Sequence, residues 1–485
     1  MKDLASKILA LEKRSSILEV DHQNQEELLH QAKLFTQEFL HDLPNLKAFQ
    51  NNGAKVKGVN IDNNPTPFSD LLKIYKEEVI HKGIIASSGG NLGYIPGGGL
   101  YSAAIADFIA AVTNEYAGVY YASPGAVSIE NEVIAWLAKL FGFPKSTVGN
   151  LTSGGSIANL IALTAARDYH DIKNEKINKS VVYLSPQTHH CINKAFRILG
   201  LEDVVIRFLE LDDSGKVKPN YLAQLIDQDK TDGLNPFLIV ASAGTTDTGV
   251  VDPLQEIGEI AKENKLWYHV DGAYGGFFIL TETKRSLLKG IELADSLVVD
   301  PHKGLFLPYG LGVVLVKNKE AVFKTYSHTA NYMQDALQQD HPFNPSDLSP
   351  ELSKHFRGLR LWLPLKLYGI APFIACLEEK VLLTQFIRKE LSRLGFSVGP
   401  EPDLTVTYFW YPSTSVAENT FNKKLMELIH EDGSVFLSST NLDGKFVIRI
   451  AILSFRTKLS TINKCLAMIK RNMEQTLACY EECTS

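Results

Sequence analysis

The sequence predicts an α/β fold built on a mainly parallel sheet, and three observations carry the prediction. From about residue 150, short β-rich runs alternate with amphipathic helical stretches, which reads as strand, crossover helix, strand. The chain has 485 residues, 45% of them apolar and 21% charged, enough for a large core shared by two or three domains. Its two ends read differently from its middle: the first stretch is helical, and the last returns to helix, strand and helix.

Taken in order, the opening segment EELLHQAKLFTQEFLHDL sets Leu28, Leu29, Ala32, Phe35, Phe39 and Leu40 at helical spacing, which makes an apolar stripe. NNGAKVKGVNIDNNPTPFSD is rich in Asn, Gly and Pro and reads as a connecting loop, and DLLKIYKEEVIHKGI as a second helix. The cluster GGNLGYIPGGG at 89–99 is a loop that must admit a close neighbour to its backbone or must move. The strand runs follow: VVYL (181–184), VVIRFLEL (204–211), PFLIVAS (236–242), LWYHV (266–270), SLVV (296–299) and GVVLV (312–316). Stretches such as NLIALTAARDYH and PLQEIGEIAKENK supply helices between them. KFVIRIAIL at 445–453 and a closing helix mark a smaller α+β unit. The expected organisation is a helical N-terminal arm over 1–85, a large α/β domain over 86–370 and a small α+β domain over 371–485.

Composition excludes several classes. A formal net charge of -6 offers no basic field for nucleic acid. No apolar run approaches the ~20 residues of a membrane span. MKDLASKILALEKRSS lacks the apolar core and small-residue cleavage site of a secretory signal. Cys191, Cys376, Cys465, Cys479 and Cys483 are odd in number and form no CxxC pair, which fits reduced thiols in the cytoplasm and no metal site.

Ligands of an open parallel sheet bind beyond the carboxyl ends of its strands. After PFLIVAS comes AGTTDTG with Thr245 and Thr246; after LWYHV comes Asp271; after SLVV comes Asp300-Pro301-His302-Lys303-Gly304. Hydroxyls, a carboxylate, an imidazole and an amine thus reach one edge. Taken alone, Lys303 is as readily half of a structural ion pair; its company makes it a reactive amine. In LTSGGSIANLIALTAARD, Gly154 and Gly155 precede a helix, with Ser156 at its start. Free amides and the helix dipole there favour a phosphate, although glycine-serine turns also start many ordinary helices. LSPQTHHCINKAF adds His189 and His190, of which one faces the cleft if the other faces solvent. A phosphate site, a reactive lysine and a carboxylate for a ring nitrogen are what holding pyridoxal 5'-phosphate (PLP) requires.

These segments resemble the group II PLP-dependent amino-acid decarboxylases, a family that includes the aromatic L-amino-acid, histidine and diaminobutyrate enzymes. The resemblance runs from about residue 70 to 460. It rests on ASPGAVSIENEVIAWLAKLFGFP, TSGGSIANLIALTAARD, ASAGTTDTGVVDPL, WYHVDGAYGGFF, ADSLVVDPHKGL and HFRGLRLWLPLKLYG, in the family's order. It implies the type I PLP-dependent transferase fold and decarboxylation of an L-amino acid, aromatic by family precedent, to an amine and carbon dioxide. By the same resemblance Lys303 is the Schiff-base lysine, Asp271 the partner of the pyridine nitrogen, and Ala273 the small residue under the ring. His189 matches the stacking imidazole, Gly155 and Ser156 the phosphate turn, His302 a histidine beside the phosphate, and Thr246 a hydroxyl near the cofactor. SHTANYMQDALQQDHPFNP resembles the mobile catalytic loop, with Tyr332 as the proton donor that separates simple decarboxylases from aldehyde-forming relatives. Tyr94, Pro96 and Ser353 match positions of the substrate pocket. The N-terminal helices resemble the arm that wraps a partner, which implies a homodimer with its active site at the interface.

The sequence departs from the pattern in places. Gly304 follows the lysine where many relatives have tryptophan, Asp300 stands where animal relatives often have asparagine, and the loop at 89–99 is rich in glycine where the family is rich in aromatics. A rival reading, a metal-dependent hydrolase using His189, His269, Asp271 and His302, leaves Lys303 and the glycine-serine helix start unexplained. A catalytically dead scaffold would have no use for lysine, aspartate, imidazole and loop tyrosine together.

Overall fold

Two helices open the chain, α1 (Lys2–Ser15) and α2 (His22–Asp42). Asp21 caps α2 by accepting from the Asn24 backbone N–H at 2.8 Å. No residue of α2 is buried, so its apolar stripe remains largely uncovered. The computed structural model describes residues 2–51, 53, 55–327, 343–414 and 416–481. A short ribbon of β1 (Phe49–Gln50) and β2 (Gly83–Ile84) brackets α3 (Phe68–Ile74), which continues as a wider π turn over Tyr75–Ile80. Next come α4 (Tyr101–Thr113) and α5 (Pro124–Leu140). One face of α4 presents Tyr101, Ile105, Phe108, Ile109 and Val112, each between 39 and 69% exposed.

The central sheet has seven strands: β3 (Val148–Thr152), β4 (Ser180–Leu184), β5 (Val205–Phe208), β6 (Asn235–Ser242), β7 (Trp267–Asp271), β8 (Ser296–Val299) and β9 (Gly312–Val316). Their order is β3-β9-β8-β7-β6-β4-β5. The helices α6 (Gly155–Tyr169), α7 (Cys191–Ile198), α8 (Pro219–Thr231), α9 (Leu254–Asn264), α10 (Pro301–Gly304) and α11 (Lys319–Tyr326) connect and flank them. Successive residues of one strand enter different cores. Tyr183, Leu297 and Val313 join one cluster, and Val182, Val298 and Val314 the other. Both faces are therefore covered, which is why these strands read as continuous apolar runs.

Two features differ from the expectation. GVVLV forms β9, but β9 runs antiparallel to both β8 and β3, so the sheet is mixed at this edge. β3 itself carries Gly149 and Asn150, whose poor strand propensity hides it from a reading of composition. It holds because Asn150 is buried and hydrogen-bonded, donating to the Pro345 carbonyl at 2.7 Å and accepting from Lys354 at 3.0 Å.

The remainder is α12 (Gly358–Tyr368) and α13 (Ala371–Arg393), then an antiparallel sheet crossed by two further helices. Its strands are β10 (Ser397–Val398), β11 (Val406–Trp410), β12 (Ser438–Leu442) and β13 (Lys445–Ala451), in the order β10-β11-β13-β12. α14 (Glu418–Asp432) and α15 (Leu459–Glu481) pack on it around a third apolar cluster that includes Phe409, Phe421, Ile450 and Ile469. No described helix is long and apolar enough to cross a membrane.

Candidate active site

β6, β7 and β8 are neighbours in the sheet, and their carboxyl ends open on a cavity of about 410 Å³. The loop after β6 brings Thr246, β7 ends on Asp271 with Ala273 just beyond, and α10 after β8 brings His302 and Lys303. From the flank, α6 brings Gly155 and Ser156, and the segment before α7 brings His189. One cavity thus collects all eight residues expected to hold the cofactor.

Asp271 is held by two donors. The Ala273 backbone N–H reaches Oδ1 at 3.1 Å, and Asn159 Nδ2 reaches Oδ2 at 3.1 Å. His189 Nδ1 accepts the Cys191 backbone N–H at 3.3 Å, which leaves the hydrogen of a neutral ring on Nε2. Burial lowers the His189 pKa against the opposing pull of Asp271. Its ring lies 4.1 Å from that of exposed His190, so the adjacent imidazoles share one side of the turn. His302 Nδ1 donates to the Leu311 carbonyl at 2.6 Å, and burial lowers its pKa too. Its Nε2 stands 3.7 Å from Asp300 Oδ2, and the ring edge faces Gly154.

Lys303 Nζ lies 3.0 Å from Asp300 Oδ2. Burial works against the ammonium, but Asp300 outweighs it and holds the lysine above its ordinary range. Asp300 is 1% exposed, and its Oδ1 is buried with no hydrogen-bond partner among the described residues. A Cβ at Gly155 would lie 3.0 Å from Asp300 Oδ2, so this carboxylate stands at the start of α6. An unsatisfied buried acceptor among backbone amides, an ammonium and an imidazole marks an unfinished polar site.

Gly304 also has a physical reason. A Cβ there would lie 2.8 Å from the Phe277 Cβ and 2.9 Å from its ring, inside a packed core, so no larger residue fits. Gly304→Ala is expected to cost roughly 1–3 kcal/mol through overpacking, read as a lower urea midpoint with an unchanged slope.

The glycine loop packs on the protein itself. Gly98 abuts the Phe306 backbone and Gly89 the Arg456 carbonyl, each too close for a Cβ. Two arginines from the far end of the chain hold this loop by its carbonyls. Arg449 Nη1 donates to Tyr94 O at 2.7 Å, and Arg456 Nη1 to Gly98 O at 2.9 Å. Arg449 also holds the loop after β6, donating to Asp247 O at 2.8 Å and to Thr246 O. Tyr94 is exposed with a left-handed φ of 51°, Pro96 is buried, and Ser353 is exposed. None of the three lines the cavity within this chain. Tyr332 lies outside the described residues.

Other lining residues escaped the sequence reading. Asn159 follows Gly155 by one helical turn on α6, a spacing that could have revealed it. Tyr309 lines the cavity beside His302, with ring centroids 5.6 Å apart, but nothing in its local sequence signals this. His269, a ligand in the hydrolase reading, lies outside the cavity lining, and both its ring nitrogens are bound to Ser296 and Asn159. Among the described residues no group of three or more His, Cys, Asp or Glu is placed to hold a metal.

Burial lowers the His269 pKa to about 4, from an ordinary 6.5 that the unfolded chain would show. The stability it contributes is complete above 6.5 and is lost as the pH falls towards 4. His269→Leu is therefore expected to flatten unfolding free energy against pH in this window, by about 1.4 kcal/mol per unit. Parallel slopes for the two proteins would contradict this.

A family profile described as the "Pyridoxal-dependent decarboxylase conserved domain" matches residues 51–412. The chain is 35% identical to an aromatic-L-amino-acid decarboxylase of Bacillus atrophaeus over 80% of this chain and 82% of that protein. It is 31% identical to a phenylacetaldehyde synthase of Arabidopsis thaliana, over 68% and 70%. The fold matches the crystal structure of Oryza sativa TDC with PLP and tryptamine at a TM-score of 0.88 and 22% identity, covering 94% of this chain and 99% of that one.

Proposed function

From the premise that this chain belongs to the pyridoxal-dependent decarboxylase family, and is a PLP-dependent carboxy-lyase acting on an amino acid, we propose how its residues divide that work. The observation that carries the proposal is the meeting of the Lys303 amine, the Asp271 carboxylate and the amide start of α6 in one cavity. Bound PLP supplies the electron-withdrawing ring that receives the electrons of the breaking carbon–carbon bond.

Lys303 would bind the cofactor aldehyde through its amine and give way to the substrate amine. The α6 amides at Gly155 and Ser156 would hold the phosphate, with His302 beside it. Asp271 would keep the ring nitrogen protonated, Ala273 and His189 would flank the ring, and Thr246 would bound it. The fit is supported by the amide start of α6 and by the Lys303 ammonium, held 3.0 Å from the buried Asp300 carboxylate in the same cavity. Tyr332 is assigned, by resemblance, to deliver the proton that replaces the lost carboxylate. An aromatic L-amino acid is the proposed substrate, on the precedent of the relatives.

A homodimer is proposed as the working form. It is supported by the uncovered stripe of α4, which begins where the glycine loop ends, and by the unburied α2. Tyr94, Pro96 and Ser353 would then serve the substrate pocket across that interface. Sedimentation at twice the 53.8 kDa chain mass is the expected result. The same reading assigns residues 1–85 to the arm, 86–370 to the large domain and 371–485 to the small one, supported by their separate sheets and by the third apolar cluster, which draws almost entirely on residues beyond 371. A cytoplasmic location is supported by the four described cysteines, all free thiols.

The test is an absorption spectrum of the purified protein before and after borohydride, followed by carbon dioxide release from a panel of L-amino acids. A cofactor band that borohydride fixes to the chain, with amine and carbon dioxide in equal amounts, supports the reading. Aldehyde and peroxide as products would move the assignment to the aldehyde-forming relatives. Absence of any band after adding PLP would remove the cofactor assignment.

A further inference from the structure

Behind Asp271, a line of buried side chains crosses from α6 through β7 to β8. Asn159 Nδ2 donates to Asp271 Oδ2, so its amide oxygen Oδ1 can only accept. That oxygen lies 2.7 Å from His269 Nε2, which must therefore carry a hydrogen. A neutral imidazole carries one, so His269 Nδ1 accepts, and the Ser296 hydroxyl at 2.8 Å is its donor. Ser296 Oγ in turn accepts from the Trp267 indole N–H at 2.8 Å. Indole nitrogen is a donor only, so the direction of the whole line is fixed: Trp267 to Ser296 to His269 to Asn159 to Asp271.

The fold explains how the line is built. Trp267, His269 and Asp271 alternate along β7 and share one face, and His269 pairs in register with Ser296 of β8. All four supporting residues are at most 2% exposed, and neither His269, Ser296 nor Trp267 lines the cavity. Every hydrogen bond in the line points toward the carboxylate, each bond polarises the next, and burial keeps the imidazole neutral. A carboxylate fed by donors keeps its anionic form and yields the shared proton to its partner.

We propose that His269, with Ser296 and Asn159, is a positioning residue for the cofactor ring, holding Asp271 oriented and anionic so that the proton between them stays on the ring nitrogen. This rests on the assignment of Asp271 to that nitrogen.

The test compares how apoprotein binds PLP and its 1-deaza analogue, in which a C–H replaces the ring nitrogen. Both ligands have the same outline, phosphate and aldehyde. Wild type, His269→Leu and Ser296→Ala are titrated by quenching of intrinsic fluorescence. Loss of a buried donor feeding the carboxylate is expected to weaken PLP about 10-fold in each variant, with the analogue's Kd changing less than about twofold. Equal losses for both ligands would overturn the proposal, since a merely structural role moves both alike; so would no loss for PLP. Should His269→Leu fail to fold, Ser296→Ala, which removes one buried oxygen, still decides. If wild type binds neither ligand, the failure lies with the PLP reading and not with the relay.

Discussion

Lys303→Ala is expected to lower turnover by on the order of 10⁵-fold, the scale of losing a covalent group with its binding machinery intact. Borohydride should no longer fix cofactor to the chain, which intact-protein mass reads directly. The substitution does more than remove an amine. It takes away the ammonium 3.0 Å from Asp300, a carboxylate that is 1% exposed and already lacks a partner on Oδ1. An unpaired buried charge costs about 3 kcal/mol or more. The variant should therefore also melt early, and the double variant Lys303→Ala with Asp300→Asn should recover that stability without recovering turnover. A double variant that stays as unstable as the single one would mean that Asp300 is not the strained partner.

Asp271→Ala is the second large effect, a loss of on the order of 10³-fold in kcat/KM from removing an electrostatic partner that lines the cavity. Asp271→Asn should be nearly as poor, for a reason visible in the hydrogen bonds. Both oxygens of Asp271 accept, one from Ala273 N and one from Asn159 Nδ2. An amide would turn an NH₂ group against one of these donors, or toward the cavity where the carboxylate is needed. Steady-state carbon dioxide release with each variant checks this, and an Asn variant within about tenfold of wild type would contradict the electrostatic argument.

The site was legible in the sequence wherever strand and chemistry lie close together in the chain. Asp271 ends its own strand, and Lys303 follows β8 by a single short turn, so reading the residue after each strand found both. Gly155 and Ser156 were legible for the same reason on α6. What escaped were features set by partners distant in sequence. Gly304 looked anomalous until Phe277 was seen to fill its space. The glycine loop at 89–99 is tight because Phe306, Phe436 and Arg456 press on it, and none of these is readable locally. The reversal of β9 is invisible to alternation, because a strand buried on both faces has the same apolar pattern in either direction. His269 entered only the rejected hydrolase reading, and its true role was hidden because its register with Ser296 depends on which strands are neighbours.

The two arginine clamps have a consequence for how the protein comes into being. Tyr94 and Gly98 are fastened by Arg449 and Arg456, side chains more than 350 positions further along. During synthesis the glycine loop and the strand ends it borders leave the ribosome long before the residues that secure them. Closing so long a loop is slow relative to local structure. The cavity is therefore among the last parts of the molecule to set, and a nascent chain can acquire its cofactor in a finished site only near the end of translation. A ribosome stalled before Arg449 should display a chain whose seven central-sheet strands are all present but which retains little PLP.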